Sequence, residues 1–241
     1  MRRIKSEFDL DVGWIRKGDS GSLVKILGEN SVNYPKNRLQ TEILERISKT
    51  NALGSQPLWD GYGDHNRRGP TRRPRQVQTH ATHGNFFAHL VGQLSPDNIV
   101  EFGTAFGVSG MYFLSGIESA GTGRLLTFEP NEVWAEIADA NLSSISSKYS
   151  LTNGTFEENI GDKLDDGAFI DLAFIDAIHV KEFVDSQLEI VLNRSRPGTV
   201  VLIDDINFSK SMQVCWQEIS NQERFLSSAS LGTRVGIVEL S

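Results

Sequence analysis

The chain has 241 residues, with 24 Lys and Arg against 31 Asp and Glu, a net charge of −7 and one cysteine. That length accommodates one α/β domain with an N-terminal extension rather than two full domains. A lone Cys215 excludes an intramolecular disulfide and a cysteine zinc cluster, and is read as packing in a helix. No apolar run reaches the roughly 20 residues of a membrane span. Met1-Arg2-Arg3-Ile4-Lys5-Ser6-Glu7 lacks the apolar segment of a secretory signal, so a cytoplasmic location with no membrane partner is expected. Charge is uneven: residues 1–98 hold 15 basic against 10 acidic side chains, and 99–241 hold 9 against 21. The acidic part is ill suited to phosphate backbones, so nucleic acid is not an expected partner. Arg67, Arg68, Arg72, Arg73 and Arg75, among Gly69, Pro70 and Pro74, are the local exception. They read either as a site for an anionic substrate or partner, or as a solvated loop balancing the acidic part.

In chain order, residues 36–49 place Leu39, Ile43, Leu44 and Ile47 on one amphipathic helical face. From 51 to 74 periodicity disappears and Gly, Pro, Arg and Asn accumulate, which reads as an irregular lid or linker. Trp59 and Tyr62 within it either cover a ligand or anchor the loop. Residues 1–75 are therefore read as an extension serving as substrate lid or oligomerisation segment, and 76–241 as the main domain. A helix carrying Phe86, Phe87, Leu90 and Val91 precedes a strand at 99–103. Alternation follows: helix 109–118, strand 124–128, helix 131–147 and a short strand near 151–156. Next come strand 171–175, helix 180–193, strand 199–203 and helix 210–220. Such alternation implies a mostly parallel sheet with helices on both faces. Residues 225–229 and 234–240 flank Gly232 and predict a terminal hairpin.

Ile99 to Ser109 is the most informative stretch. Ile99, Val100 and Phe102 favour a buried strand, Gly103 and Gly107 permit a tight turn, and Ser109 can start the next helix. Such a turn leaves free amides near a helix N-terminus, but the Glu101 carboxylate would repel a phosphate and attract a cationic or hydroxyl-bearing ligand. Glycines at 103, 107 and 110 do not give G-x-G-x-x-G, and a Walker lysine is absent, which counts against dinucleotide and P-loop ligands. The next strand ends at Glu129-Pro130, where a carboxylate either accepts both ribose hydroxyls or is an ordinary solvated charge. Asp176 ends the fourth strand and Asp204-Asp205 the fifth. Three carboxylates converging there require a cation, hydrogen bonds or protonation. Hard oxygens suit Mg²⁺; helix capping or direct substrate binding are the alternatives. His179 can take a proton near neutral pH, with helix N-terminal packing or substrate binding as its other readings. His80, His83 and His89 do not share one helical face and form no convincing metal triad.

Glu101-x-Gly103-Thr104-x-x-Gly107-x-Ser109 resembles motif I of class I S-adenosylmethionine-dependent methyltransferases. The likeness is strongest to catechol and caffeoyl-CoA type O-methyltransferases and their bacterial natural-product relatives, and runs from about Thr79 onward. It implies a Rossmann-like α/β fold: a mostly parallel seven-stranded sheet, a C-terminal antiparallel hairpin and helices on both faces. It implies S-adenosylmethionine held by Glu101, Gly103, Thr104 and Ser109, with the acid approaching the cofactor's amino group. Glu129 and Pro130 would then face the ribose, Thr155 and Phe156 the adenine, and Asp176 the cofactor and acceptor. Thr79, five residues before Gly84 in Gly84-Asn85-Phe86-Phe87, has the spacing of a threonine that holds the methionine carboxylate; His83 replaces an acid of the family there. Asp176, Asp204 and Asp205 resemble the family's metal ligands, with Asp205 where an Asn is usual, and His179 stands at the place of a catalytic lysine. The implied activity is methyl transfer to a hydroxyl of a small molecule, a secondary metabolite, using Mg²⁺ with His179 and Asp176 as catalytic groups, in a homodimer. The rival readings are a nicotinamide-dependent oxidoreductase and a non-catalytic binding protein that retains the fold, with the arginine cluster as its contact surface.

Overall fold

A computed structural model describes residues 8–61 and 69–241. The N-terminal heptapeptide, Tyr62, Arg67 and Arg68 lie outside the described residues. The chain runs β1 (Phe8–Arg16), α1 (Ser22–Ile26), β2 (Ser31–Tyr34), α2 (Gln40–Ala52), β3 (Gln56–Pro57) and β4 (Thr71–Arg72). After a 3-10 turn at Pro74–Gln76 come α3 (Ala81–Leu94), β5 (Asn98–Phe102), α4 (Val108–Ala120), β6 (Arg124–Glu129), α5 (Glu132–Leu142) and β7 (Tyr149–Asn153). The remainder is α6 (Phe156–Lys163), β8 (Leu172–Ile175), α7 (Lys181–Asn193), β9 (Val200–Ile203), α8 (Lys210–Ser220), β10 (Phe225–Leu231) and β11 (Val235–Leu240).

One sheet has the strand order β2-β1-β10-β11-β9-β8-β5-β6-β7. β5 to β9 are parallel, and β11, β10, β1 and β2 follow antiparallel. The seven expected strands and the hairpin are thus present, and β1 and β2 extend the sheet to nine. β1 joins β10 with Val12 opposite Leu231, its Leu10 and Val12 buried and the intervening Asp9 and Asp11 exposed. A buried carboxylate on β11, Glu239, accepts from the Ser22 and Leu23 backbone amides at 2.6 and 3.0 Å and ties α1 to the sheet. Two further differences are local. Residue 156 opens α6, where the strand reading had ended, and Leu44 is 46% exposed, off the buried face that Ile43 defines.

The central strands β8 and β9 are apolar throughout, and β5 nearly so apart from its ends and Glu101, because helices cover both faces. On one face Phe87 stacks on Phe113 with centroids 5.2 Å apart, and both rings meet Phe174 of β8 at 5.0 and 5.7 Å. α3 and α4 approach closely at Gly116: a Cβ there would lie 2.8 Å from the Ala88 carbonyl oxygen and 2.6 Å from Val91 Cβ. Cys215 is buried in α8 on the other face. After β5 the chain winds outward through β6 and β7, then returns to place β8 on β5's other side. Such a reversal opens a crevice at the strands' carboxyl ends, the usual ligand position in open α/β sheets.

Gly116→Ala is expected to destabilise the protein by about 1–3 kcal/mol, the usual penalty of overpacking a filled interface. Urea unfolding monitored by circular dichroism should show this as a lower midpoint with an unchanged slope.

Candidate functional site

At the end of β5 the turn closes on its neighbours. Gly103 has φ +83°, and a Cβ there would lie 2.3 Å from the Asp176 carbonyl oxygen, so the two strand ends meet only through glycine. The Gly103 and Thr104 amides both donate to the Phe128 carbonyl, at 3.2 and 3.1 Å. Ala105 adopts a left-handed φ of +47°, unfavourable for a residue with a Cβ, and its amide donates to Glu129 Oε2 at 2.7 Å. Glu129 Oε1 accepts from the Asn131 amide at 2.9 Å. Burial pushes the Glu129 carboxyl up to about 7, against these two amide bonds and helped by the Glu101 charge.

Glu101 lies fully buried behind the turn. The Thr127 hydroxyl donates to its Oε2 at 2.7 Å, Ser109 also bonds its carboxylate, and Thr127 Oγ1 lies 2.6 Å from Thr104 Oγ1. Glu101 Oε1 has no partner, and burial pushes this carboxyl up to about 7 against those hydroxyl bonds. A narrow cleft runs along the turn, lined by residues 77–79, Gly103 to Phe106, Val108, Ser109 and Asp176. It brings together Thr79, Gly103, Thr104, Ser109 and Asp176 from the sequence-derived set. The lid reaches the same corner: Asn131, which caps α5, donates from Nδ2 to the Pro57 carbonyl at 2.9 Å, and Asn51 Nδ2 donates to Gln78 Oε1 at 3.1 Å.

Pro130 is half-buried beside Glu129, and Thr155 precedes α6 with its hydroxyl on Glu158. The Phe156 ring is enclosed in the core, 3.7 Å from the Phe102 centroid and edge-on to Phe128 at 5.4 Å. Its side chain is therefore spent on packing, and its backbone alone is left for a ligand. His83 Nε2 lies 3.3 Å from the Leu231 carbonyl and the His89 ring stacks on Tyr34. These contacts give both histidines packing roles.

Across the crevice the acidic residues meet a cation that the sequence reading missed. Arg234 bonds both oxygens of Asp204, with Nε at 2.9 Å from Oδ1 and Nη2 at 2.6 Å from Oδ2. Its Nε also lies 3.2 Å from Asp205 Oδ1. His179 Nε2 stands between Asp205 Oδ2 at 3.4 Å and Asp176 Oδ1 at 3.5 Å, and its ring lies 5.4 Å from Phe208. Burial drives the Asp176 carboxyl well above the usual range, with the Asp204 charge adding to it. Burial also pushes Asp204 up, but its hydrogen bonds and ion pair with Arg234 outweigh this and hold it below its ordinary value. Burial lowers His179 despite the nearby Asp205 and Asp204 charges, which keeps the imidazole neutral at neutral pH.

These side chains do not fit the divalent cation expected from the sequence. Both Asp204 oxygens are engaged by Arg234, an Asp205 oxygen is shared with the same guanidinium, and Asp176 favours its neutral form. Among the described residues no group of three His, Cys, Asp or Glu has an arrangement that could hold a metal. The hairpin register carried a signal for Arg234. With Gly236 opposite Ile203, antiparallel counting sets residue 234 against Asp205.

Residues 100–206 match a family model described as a methyltransferase domain. No curated protein matches the chain. Solved structures share the fold. An O-methyltransferase from Bacillus cereus in complex with S-adenosylhomocysteine is 23% identical over 82% of this chain and 90% of its own, with a TM-score of 0.60. The Streptomyces achromogenes O-methyltransferase involved in tomaymycin synthesis, in complex with S-adenosylmethionine, is 19% identical over 82% and 90%, with a TM-score of 0.60. An S-adenosylhomocysteine-bound methyltransferase from Podospora anserina is 14% identical over 83% and 96%, with a TM-score of 0.58.

A carboxyl raised from 4.5 to about 7 stabilises the fold below pH 4.5 and loses that contribution as pH rises through about 7. For Glu101 this amounts to about 3 kcal/mol. Relative to the native protein, Glu101→Gln is therefore expected to gain unfolding free energy progressively between pH 5 and 8. Urea titrations of both proteins across that range measure the difference, and parallel curves would contradict the assignment.

Proposed function

We propose that the chain, whose residues 100–206 match a methyltransferase-domain model and whose fold is shared with solved O-methyltransferases, transfers the methyl group of S-adenosylmethionine to a hydroxyl of a small molecule. The observation that carries this reading is the cleft in which Thr79, Gly103, Thr104, Ser109 and Asp176 converge between the turn and the lid. The site fits the cofactor chemically. The unpartnered Glu101 oxygen suits a cationic ligand, and the Glu129 carboxylate suits vicinal hydroxyls once it turns from the Ala105 and Asn131 amides. Thr79 would hold the carboxylate end. Pro130, Thr155 and the Phe156 backbone would border the adenine.

When bound, S-adenosylmethionine supplies an electrophilic methyl carbon on a positively charged sulfur. His179 then serves as general base. With its Nε2 proton directed at Asp205 and Asp176, Nδ1 is the acceptor for the substrate hydroxyl proton, and the Asp205 carboxylate stabilises the imidazolium that results. Asp176, beside both the turn and His179, positions the acceptor oxygen. Phe208 adds an apolar wall on the far side of the imidazole. Residues 56–61 and 69–79 act as the lid over the cofactor, anchored through Asn131 to Pro57 and Asn51 to Gln78.

Calorimetric titration with S-adenosylmethionine should give saturable binding, and NAD should give none; the reverse would favour the oxidoreductase reading. A screen of hydroxylated metabolites with trideuteromethyl-labelled cofactor identifies the acceptor by mass shift. His179→Ala is expected to lower kcat on that acceptor by about 10² to 10⁴-fold while leaving cofactor affinity nearly unchanged. An unchanged kcat removes His179 as the base.

A further inference from the structure

The charge arrangement beneath the acceptor side differs from what three clustered carboxylates invite. We propose that Arg234 is a built-in substitute for a divalent cation at Asp176, Asp204 and Asp205, so that this site holds no metal ion. A divalent ion needs several free hard oxygens at about 2.0–2.6 Å in one shell. Asp204 is already committed, since each of its oxygens accepts a charge-assisted bond from Arg234 within 3.0 Å and the guanidinium occupies the side where an ion would sit. Asp205 is divided between the same guanidinium and His179.

The position is fixed by backbone as well as by charge. Arg234 follows the β10–β11 turn, its carbonyl accepts from the Ile206 amide at 2.9 Å, and the Asn207 side chain donates to the Thr233 carbonyl at 2.6 Å. Asp205 itself takes a left-handed φ of +52°, held between these contacts. The hairpin is thus clamped to the segment after β9, and the guanidinium is delivered to both carboxylates at once. A metal entering here would have to strip bidentate bonds from Asp204, which is only 3% exposed. Expelling Arg234 would also leave its charge in a half-buried place without a partner. Arg234 acts through the carboxylates: it fixes Asp205 against His179 and lets Asp176 remain the group nearest the turn.

The inference deepens the methyl-transfer reading, but its test does not depend on cofactor or acceptor. The native protein is titrated with Mn²⁺ alone at neutral pH, and free Mn²⁺ is followed by electron paramagnetic resonance. No binding is expected up to about 1 mM, the weak end of protein sites for divalent ions. Arg234→Gln, which removes the charge with little loss of bulk, should gain a Mn²⁺ site at least about tenfold tighter than any in the native protein. That site should disappear in Arg234→Gln combined with Asp204→Asn. Arg234→Lys, which keeps a cation, should stay without it; circular dichroism checks that each variant is folded. Stoichiometric Mn²⁺ binding by the native protein that is lost in Asp204→Asn would overturn the proposal. So would a folded Arg234→Gln that binds no Mn²⁺, because Arg234 would then not be what excludes it. If S-adenosylmethionine fails to bind in a parallel titration, methyl transfer falls while the Mn²⁺ result stands.

Discussion

Parallel strands that end on one edge deliver their last side chains to the same place, and here five of those side chains are carboxylates. Glu101, Glu129, Asp176, Asp204 and Asp205 cannot all be charged and dry without compensation, since burying an unpaired carboxylate is strongly unfavourable. Much of the local architecture answers that constraint. Ala105 is held in a left-handed conformation with its amide aimed at Glu129, and Thr127 sits on β6 opposite Glu101 to bond it. The β10–β11 hairpin is clamped so that Arg234 reaches two acids at once.

The two sides of the crevice solve the problem differently, and this separates their roles. On the turn side, compensation comes from neutral hydroxyls and amides, and one buried oxygen stays unpartnered. Such a site remains short of positive charge and is improved by a cationic ligand. On the hairpin side, a resident guanidinium already pairs with two of the acids. That half is preorganised, and its polar groups need no ligand to be stable. On the proposed reading, the positive centre of the cofactor lies at the turn and the neutral hydroxylated acceptor on the side where a guanidinium is already paired.

The sequence made the parallel framework legible because β5, β6, β8 and β9 are short, mostly apolar and followed by a helical period. The strand-end acids could be named for the same reason: a charge directly after a buried apolar run marks a sheet edge. β1 was harder to read. Its apolar positions, Phe8, Leu10, Val12 and Trp14, do alternate, but Asp9, Asp11 and Gly13 between them resemble loop composition. α6 was hidden by its brevity and by a mixture of Glu, Asn and Asp. Phe156 shows the limit of motif transfer, since its position beside an expected adenine contact says nothing about which way the ring faces. Arg234 escaped because its partners are about thirty residues away, and only the pairing of β11 with β9 brings them together.

The pairing of β1 with β10 also sets the order in which the molecule can be completed. Val12 is made more than two hundred residues before its partner Leu231. In the interval β1 has only β2 beside it and its other edge is unpaired, while the parallel strands between them can already assemble. Closing so long a loop is slow, because its entropy is lost before the contact rewards it. The nascent chain therefore carries an unpaired edge through most of its translation, and the acidic residues that alternate along β1 help to keep that edge soluble until the hairpin arrives.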